Sequence, residues 1–265
     1  MLSLQGDLLN LWAGRPLRIT QTLFTMKKVI LSLVTLLAAT TLATAQMRPT
    51  IKVEAGANFS NVTGKANGET EDGDMLIGYR IGAGVEFGIS EGFYINPGLY
   101  FLSRGAKGTV ELPKTTDYAI KTDYAIKIVS STWLHNVEVP VHVGYRAAIA
   151  PSMAVSIQAG PWFSYGFLGK VSQKTTVTGE GKLADAAREI AKTADDAVNK
   201  GDNNPYKTNP KLLKPFDLGV GMQAAFEYRQ FGVNLGFEYG LLNTSAFDEV
   251  KINNMNFYVG LGYRF

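Results

Sequence analysis

The feature that most constrains this chain is a period-two alternation of apolar and polar residues, repeated in eight separate stretches. The last stretch, NFYVGLGYRF (Asn256–Phe265), places Phe257, Val259, Leu261, Tyr263 and Phe265 on one side. A residue period of two is typical of a β-strand with two different faces. The eight predicted strands are Ile51–Phe59, Ile77–Ile89, Phe93–Ser103, Trp133–Arg146, Val155–Phe167, Phe216–Arg229, Phe231–Gly240 and Asn256–Phe265.

The two faces of these strands differ in an unusual direction. In all eight strands the middle of the apolar face carries no charge. The other faces, taken together, carry glycine and charges of both signs. A soluble sandwich also alternates, but its apolar face forms the interior. Here the polar face must point inward, so the apolar face meets lipid. Strands of roughly 9–13 residues suit a tilted crossing of a bilayer.

The lengths of the connections alternate strictly along the chain. Short connections are predicted at Ser90–Gly92, Ala147–Ser152 and Arg229–Gln230, and long ones at Ser60–Leu76, Gly105–Ser130, Lys170–Lys214 and Leu242–Asn253. Up-and-down outer-membrane barrels have short periplasmic turns and long outer loops. The prediction is an all-β, eight-stranded antiparallel up-and-down transmembrane barrel with long extracellular loops, one containing a short helix, located in the outer membrane.

The first 45 residues are predicted to lie outside this domain. From Met26 the chain has a basic start, an apolar run and an A-x-A site at Ala43–Ala45, so residues 26–45 are predicted to be a secretory signal peptide. A membrane anchor is the alternative, but the apolar run is shorter than the roughly 20 residues that a span needs. Residues 1–25 are interpreted as a start-site artefact, and residues 46–265 as the barrel domain.

Charge and composition exclude several classes of function. Removing residues 1–45 leaves 22 basic and 22 acidic residues, so the formal net charge is zero and no nucleic-acid partner is predicted. The chain has no Cys and two His, His135 and His142, which gives no metal-ligand cluster and no expected cofactor. No nucleophile motif is present, so we predict that the protein is not an enzyme.

The inward face of the predicted strands collects titratable side chains that would form a charge network in the lumen. Its members are Lys52, Glu54, Arg80, Glu86, Glu138, His142, Arg146, Glu227, Arg229, Glu238 and Arg264, with Asp217 on the same face. An eight-stranded barrel has just enough interior for side chains to fill. The prediction is a lumen plugged by paired charges, and a narrow conducting pore is the alternative.

Two long connections carry features of their own. The hexamer TDYAIK occurs at Thr116–Lys121 and again at Thr122–Lys127, which indicates a duplication in a tolerant loop, with a binding repeat as the alternative. In KLADAAREIAKTADDAVNK, a helical face is shared by Leu183, Ala187, Ile190, Ala194 and Val198, and Gly201 follows as a stop. We expect a helix that caps the barrel mouth; a partner-binding helix is the alternative.

The closing strand is expected to pair with the first, because a barrel has no free edge. Its apolar face would then meet lipid, and its glycines and Arg264 would face the lumen.

Several of these strands resemble PorT-like outer-membrane β-barrel proteins of Bacteroidetes. IKVEAGANFSNV (Ile51–Val62) is similar to the first strand of that family, GFYINPGLYFLSRG (Gly92–Gly105) to its P-x-L-x-F-x-x-x-G strand, NVEVPVHVGYR (Asn136–Arg146) to its x-E-I-P-L-x-x-x-Y strand, and NFYVGLGYRF to its closing strand. The resemblance implies an integral outer-membrane barrel, with an accessory role in protein secretion as a further alternative. It also implies that Phe257, Val259, Leu261, Tyr263 and Phe265 form the signal read by the barrel assembly machinery. The expected partners are this machinery and outer-membrane lipid, and the expected state is a monomer.

Overall fold

A computed structural model describes residues 49–66, 69–113, 124–201, 203–208, 210–247 and 250–265. Residues 1–25, the predicted signal peptide and the first hexamer lie outside this range, so those interpretations stay predictions. The second hexamer is described from Tyr124 onward, where it forms the start of a strand.

Nine strands and one helix are found in the described part of the chain. They are β1 (Thr50–Ala66), β2 (Glu69–Asp72), β3 (Leu76–Ser90), β4 (Phe93–Leu112), β5 (Tyr124–Ala150), β6 (Met153–Gly179), α1 (Lys182–Lys200), β7 (Phe216–Tyr228), β8 (Phe231–Gly240) and β9 (Val250–Arg264).

Eight of these strands close into an antiparallel barrel. β1 pairs with β3, each later strand pairs with the next along the chain, and β9 returns to β1. The short β2 lies outside this ring and pairs only with the C-terminal end of β1. The β1–β9 register runs from Lys52 opposite Arg264 to Ala66 opposite Val250, and the Phe265 amide donates to the Ile51 carbonyl at 2.9 Å. The predicted fold class and the predicted pairing of the first and last strands are therefore confirmed.

The period-two pattern becomes an inside and an outside because successive side chains of a strand point to opposite faces. In β8, Phe231, Val233, Leu235, Phe237 and Tyr239 are exposed, while the residues between them are buried. The other strands show the same order, which produces an outward apolar band of the kind that faces lipid.

Aromatic rings mark both ends of this band. At the end with the short turns, Phe93 packs on Tyr145 with ring centroids 4.8 Å apart, and Phe231 packs on Tyr263 at 5.2 Å. At the opposite end, Tyr79 stacks on His135 at 5.9 Å. His135 therefore lies on the outer face. Such aromatic girdles are typical of the two membrane interfaces.

The turn end of the barrel has three two-residue connections, Glu91–Gly92, Pro151–Ser152 and Arg229–Gln230. Gly92 and Arg229 adopt positive φ values of 76° and 54°, which such tight turns require. The predicted six-residue connection Ala147–Ser152 is wrong, because β5 continues as far as Ala150.

At the opposite end, called the loop end, the strands continue further than the sequence predicted. Tyr124–Thr132 of β5 pairs with Val171–Gly179 of β6 on one side, and Ile126–Thr132 pairs with Ala106–Leu112 of β4 on the other. The predicted loop Gly105–Ser130 therefore begins and ends in sheet, and the predicted loop Lys170–Lys214 begins in sheet. The apolar alternation stops where these strands leave the apolar band, because a strand in water needs no apolar face.

The helix α1 has the predicted bounds, and Gly201 follows it as predicted. Its packing differs from the prediction: Leu183 and Ile190 are 67% and 71% exposed, whereas Ala184 is buried. The helix packs on β6 and does not cap the barrel mouth. In the part of the chain that the structure describes, no helix combines the length and apolar character needed to cross a bilayer.

Polar side chains make the contact between α1 and β6. Beyond Tyr165, toward the loop end, β6 is no longer paired with β7, so one edge of β6 has no neighbouring strand among the described residues. Asn199 accepts from the Gln173 amide at 2.9 Å and donates to the Gln173 carbonyl at 2.8 Å, and Asp195 accepts from the Thr175 amide at 2.6 Å. These side chains take the hydrogen bonds that a neighbouring strand would take, which protects an edge from pairing with another chain.

Candidate functional site

The lumen contains three tiers of polar side chains, stacked along the barrel axis. The turn-end tier consists of Glu86, Arg146, Glu227 and Arg264. Arg146 pairs with Glu86 at 2.8 Å and with Glu227 at 2.9 Å, and Arg264 pairs with Glu86 at 2.8 Å. Both carboxylates are 3% exposed, whereas Arg146 and Arg264 are 19% and 23% exposed. This tier is balanced in charge and borders the turn end.

The central tier joins one ion pair to a set of neutral groups. Lys52 lies 2.6 Å from Glu54, and Glu54 also accepts from the Tyr100 hydroxyl at 2.8 Å and from the Gln223 amide at 2.9 Å. A chain of amides crosses the lumen here, because Asn96 donates to Gln158 at 3.0 Å and Gln158 donates to Gln223 at 2.8 Å. The tier therefore connects strands from opposite sides of the barrel.

The loop-end tier contains two arginines and two glutamates in mutual contact. Arg80 lies 2.6 Å from Glu138 and 3.0 Å from Glu238, and Arg104 pairs with the same two carboxylates. Glu138 and Glu238 are fully buried, and the arginines are at most 4% exposed. Removing one partner of such a group leaves an uncompensated buried charge, at a cost of about 3–5 kcal/mol.

Aromatic rings surround the two arginines of this tier. The Arg80 guanidinium lies 4.1 Å from the ring centre of Tyr100 and 4.5 Å from that of Tyr258, and Arg104 lies 4.4 Å from Trp162. Gly236 lies against the Tyr258 ring and Gly219 against the Trp162 ring, and a Cβ at either position would overlap the aromatic side chain. Glycine at these positions lets large rings fit in a narrow barrel.

The structure places nearly all the sequence-predicted lumen residues inside the barrel. Lys52, Glu54, Arg80, Glu86, Glu138, His142, Arg146, Glu227, Glu238 and Arg264 point inward. Arg229 does not: it is exposed in the two-residue turn, 5.5 Å from the Tyr228 ring. The prediction for Arg229 is wrong, because the strand ends at Tyr228 and its alternation cannot be continued through a residue with positive φ.

Arg104 is the functional residue that sequence reasoning missed. It carries half the positive charge of the loop-end tier and lies one residue beyond the predicted end of its strand at Ser103. Continuing the inward series Tyr94, Asn96, Gly98, Tyr100 by two more steps would have found it.

His142 is buried in the lumen with its Nε2 atom lacking a hydrogen-bond partner among the described residues. The residues that the structure describes contain no group of three His, Asp or Glu arranged to hold a metal ion. The described surroundings of His142 thus supply neither a nucleophile in hydrogen-bond reach nor a metal site.

A cavity of about 120 Å³ lies above the loop-end tier, and we call it the loop-end cavity. Strand residues such as Leu134, Ile252 and Asp217 line it from the barrel, and Tyr206 and Leu213–Pro215 line it from the segment between α1 and β7. The Tyr206 hydroxyl lies 3.4 Å from the Asn136 side-chain oxygen. This segment, rather than α1, covers the barrel mouth.

The closing strand β9 presents its apolar residues outward, in the order that the sequence predicts. Phe257, Leu261 and Phe265 are exposed, and Val259 and Tyr263 are partly covered by neighbouring strands. The Phe257 ring lies 6.3 Å from Phe59 across the β1–β9 seam. The last residues are hydrogen-bonded on both sides, because the Arg264 amide donates to the Gln230 carbonyl.

Comparison with known proteins gives one family and a set of distant structures. The family model "Outer membrane protein beta-barrel domain" matches residues 44–246. No curated protein sequence matches the chain.

Three solved structures illustrate the distant likeness. Ail of Yersinia pestis is 13% identical with a TM-score of 0.35, covering 83% of this chain and all of that one. OprG of Pseudomonas aeruginosa is 10% identical with a TM-score of 0.38, covering 82% and 95%. Neisserial surface protein A is 11% identical with a TM-score of 0.35, covering 81% and 97%.

Proposed function

The chain belongs to the outer membrane protein beta-barrel domain family, and from that premise we propose that it has a structural or surface-interaction role, with a lumen that does not conduct ions.

The observation that carries this proposal is the continuous pairing of charges along the lumen. Each basic group of the three tiers contacts a carboxylate, and the aromatic rings of Tyr100, Tyr258 and Trp162 occupy the space around the arginines. An ion passing through would have to displace these pairs, and breaking a buried pair costs several kcal/mol. The lumen therefore resembles a packed interior more than a water-filled channel.

Planar bilayers loaded with purified folded protein test this proposal. We expect no discrete conductance steps, with heat-modifiable gel mobility as the proof that the inserted protein is folded. Stable single-channel steps would support the alternative of a small passive pore.

The proposed surface role rests on the loop end. The extensions of β4, β5 and β6, together with α1, present a large folded surface beyond the apolar band.

The resemblance to PorT-like proteins supports the narrower assignment to that group of Bacteroidetes. An accessory role in protein secretion is a further alternative that rests on this resemblance, and loss of surface-protein export in a deletion strain would support it.

We further propose that the chain reaches the outer membrane through the signal peptide at residues 26–45 and is assembled as a monomer. The exposed apolar series of β9, ending at Phe265, supports recognition by the barrel assembly machinery. Cleavage after Ala45 in the mature protein, read by N-terminal sequencing, tests the signal-peptide proposal.

A catalytic role is not part of the proposal. His142 is the candidate base that an enzyme on this barrel would use, and it is 2% exposed among the lumen side chains. Lipid remodelling by the purified protein that disappears in His142→Ala would contradict this view.

A further inference from the structure

The loop-end cavity has apolar walls and a polar floor. Val62, Leu134, Leu213 and Ile252 form much of the wall, and the floor is made of Arg104, Asn136, Asp217 and Asn254. All four floor side chains are at least nine-tenths buried. Sites for small molecules commonly combine apolar walls with a few convergent polar groups.

The hydrogen bonds of the floor leave capacity for a ligand. Asp217 accepts from the Leu218 amide at 2.9 Å and from the Asn254 side chain at 2.7 Å, and an ionised carboxylate has about four acceptor positions. Asn136 is held by two long contacts, 3.3 Å to the Leu134 carbonyl and 3.4 Å from the Tyr206 hydroxyl. Oxygen acceptors therefore converge on the cavity without being fully used by the protein.

The floor and the tier below it together hold one more carboxylate than arginines. The arginines are Arg80 and Arg104, and the carboxylates are Glu138, Glu238 and Asp217. Both hydrogen-bond donors to Asp217 are neutral, and none of the ion pairs among the described residues includes it. A buried carboxylate of this kind is stabilised by a cation that enters the cavity.

We propose that the loop-end cavity binds a small primary ammonium compound with a short apolar body. Its ammonium group donates hydrogen bonds to Asp217 and to the side-chain oxygens of Asn136 and Asn254, and its apolar part lies against Leu134, Leu213 and Ile252. Hydrogen bonds to an ionised acceptor are shorter and stronger than neutral ones.

The size of the cavity restricts the ligand. Its volume of about 120 Å³ is below the ~300–1,000 Å³ of pockets for drug-sized molecules. It is close to the ~150 Å³ of a cavity that accepts a single small ring. Exposed Lys214 lies on the rim, so the cavity reaches the outer surface.

NMR titration of the folded protein in detergent micelles tests the proposal with three probes of similar size. We expect n-butylammonium to shift the amide signals of Asp217 and Leu218 saturably, and butan-1-ol and butyrate to leave them unchanged at equal concentration. Butanol lacks the charge and butyrate has the opposite one, so the three probes separate charge recognition from apolar partitioning without any mutation.

Asp217→Asn keeps the shape of the side chain and an acceptor for the Leu218 amide. We expect the affinity for n-butylammonium to fall about tenfold or more, as loss of a hydrogen bond to a charged group predicts. Asp196→Asn, on the exposed side of α1, is the matched control and should bind as the wild type does.

A response that is equal for all three probes, no saturable shift with n-butylammonium, or full binding by Asp217→Asn would each overturn the proposal. The inference goes beyond the proposed function and does not depend on it. Conductance in planar bilayers is measured without any probe, so failure of one proposal is distinguishable from failure of the other.

Discussion

The lumen of the barrel and the contact between α1 and β6 both depend on polar side chains, but the two regions differ in burial. In the lumen, Glu138 and Glu238 are fully enclosed, and each lies against two arginines. On β6, Asp195 and Asn199 replace a missing strand at a surface that water reaches. A lost partner costs about 3–5 kcal/mol in the first setting and about 0.5–1.5 kcal/mol per hydrogen bond in the second.

The loop end therefore tolerates change better than the lumen does. The side chains in the lumen hold the strands of the barrel together, because the charged groups of each tier have partners on other strands. The loop end is built from contacts that can be altered one at a time, which is what a variable outer surface needs. Substitutions in the two regions should accordingly differ in their effect on assembly, on unfolding and on local hydrogen exchange.

Deleting Phe265 should have the greatest effect, a loss of assembly into the outer membrane. The residue supplies the amide that bonds Ile51 across the barrel seam, and it ends the proposed assembly signal. Deleting Glu180, an exposed residue between β6 and α1, is the matched control. The amount of heat-modifiable protein in outer-membrane fractions measures the effect of both deletions. Equal losses would contradict the proposed role of Phe265 in assembly.

Glu138→Ala should lower the free energy of unfolding by about 3–5 kcal/mol, because it removes one of the two carboxylates from Arg80 and Arg104 in a fully buried tier. Glu227→Ala in the turn-end tier should cost less, about 1–3 kcal/mol, since Arg146 and Arg264 are partly exposed and keep Glu86. Denaturant unfolding in lipid vesicles measures both. The contrast between the tiers would be wrong if Glu227→Ala cost as much as Glu138→Ala.

Asn199→Ala should affect only the edge of β6. We expect amide exchange at Gln173 to become about tenfold faster, which corresponds to about 1.4 kcal/mol, and the unfolding of the barrel to remain unchanged. Asp196→Ala on the exposed side of the helix should leave this exchange as it is. Hydrogen exchange followed by NMR measures the exchange rate of the Gln173 amide in both variants. Unchanged protection of this amide in Asn199→Ala would show that the helix does not take the place of a strand.

Acid should weaken the contact between α1 and β6. Burial acts to raise the pKa of Asp195, but hydrogen bonds from the Thr175 amide, the Thr175 hydroxyl and Gln173 outweigh it and lower that pKa below its usual value. A lowered pKa means that the contact contributes fully above the ordinary pKa of an aspartate and is lost as the pH falls through the lowered value. Protection of the Thr175 amide should decrease over this acidic range. In Asp195→Asn this pH dependence should be absent, and its persistence there would assign it to another group.

Much of the barrel was predictable from the sequence because the strand signal is local. Alternation within Phe231–Gly240 is visible without any knowledge of neighbouring strands, and it assigns each side chain to the lumen or to lipid. The bounds of α1 were predictable for the same reason. The errors occur where the pattern of apolar residues no longer decides the position of a side chain. Arg229 lies in a turn, and Arg104 lies beyond the last apolar residue of its predicted strand. Leu183 and Ile190 share a helical face that no described element covers.

The number of barrel strands, the face of each that meets lipid, and the ends at which long and short connections lie all follow from the sequence alone. The identity of the groups that meet inside the barrel required the closed sheet: Arg104 with Glu238, 134 residues apart, Lys52 with Asn234, and Tyr206 over the mouth of the barrel. The physical reason is that alternation depends on the pleat of one strand, whereas contacts across the lumen depend on the stagger and tilt of all eight strands once the sheet has closed.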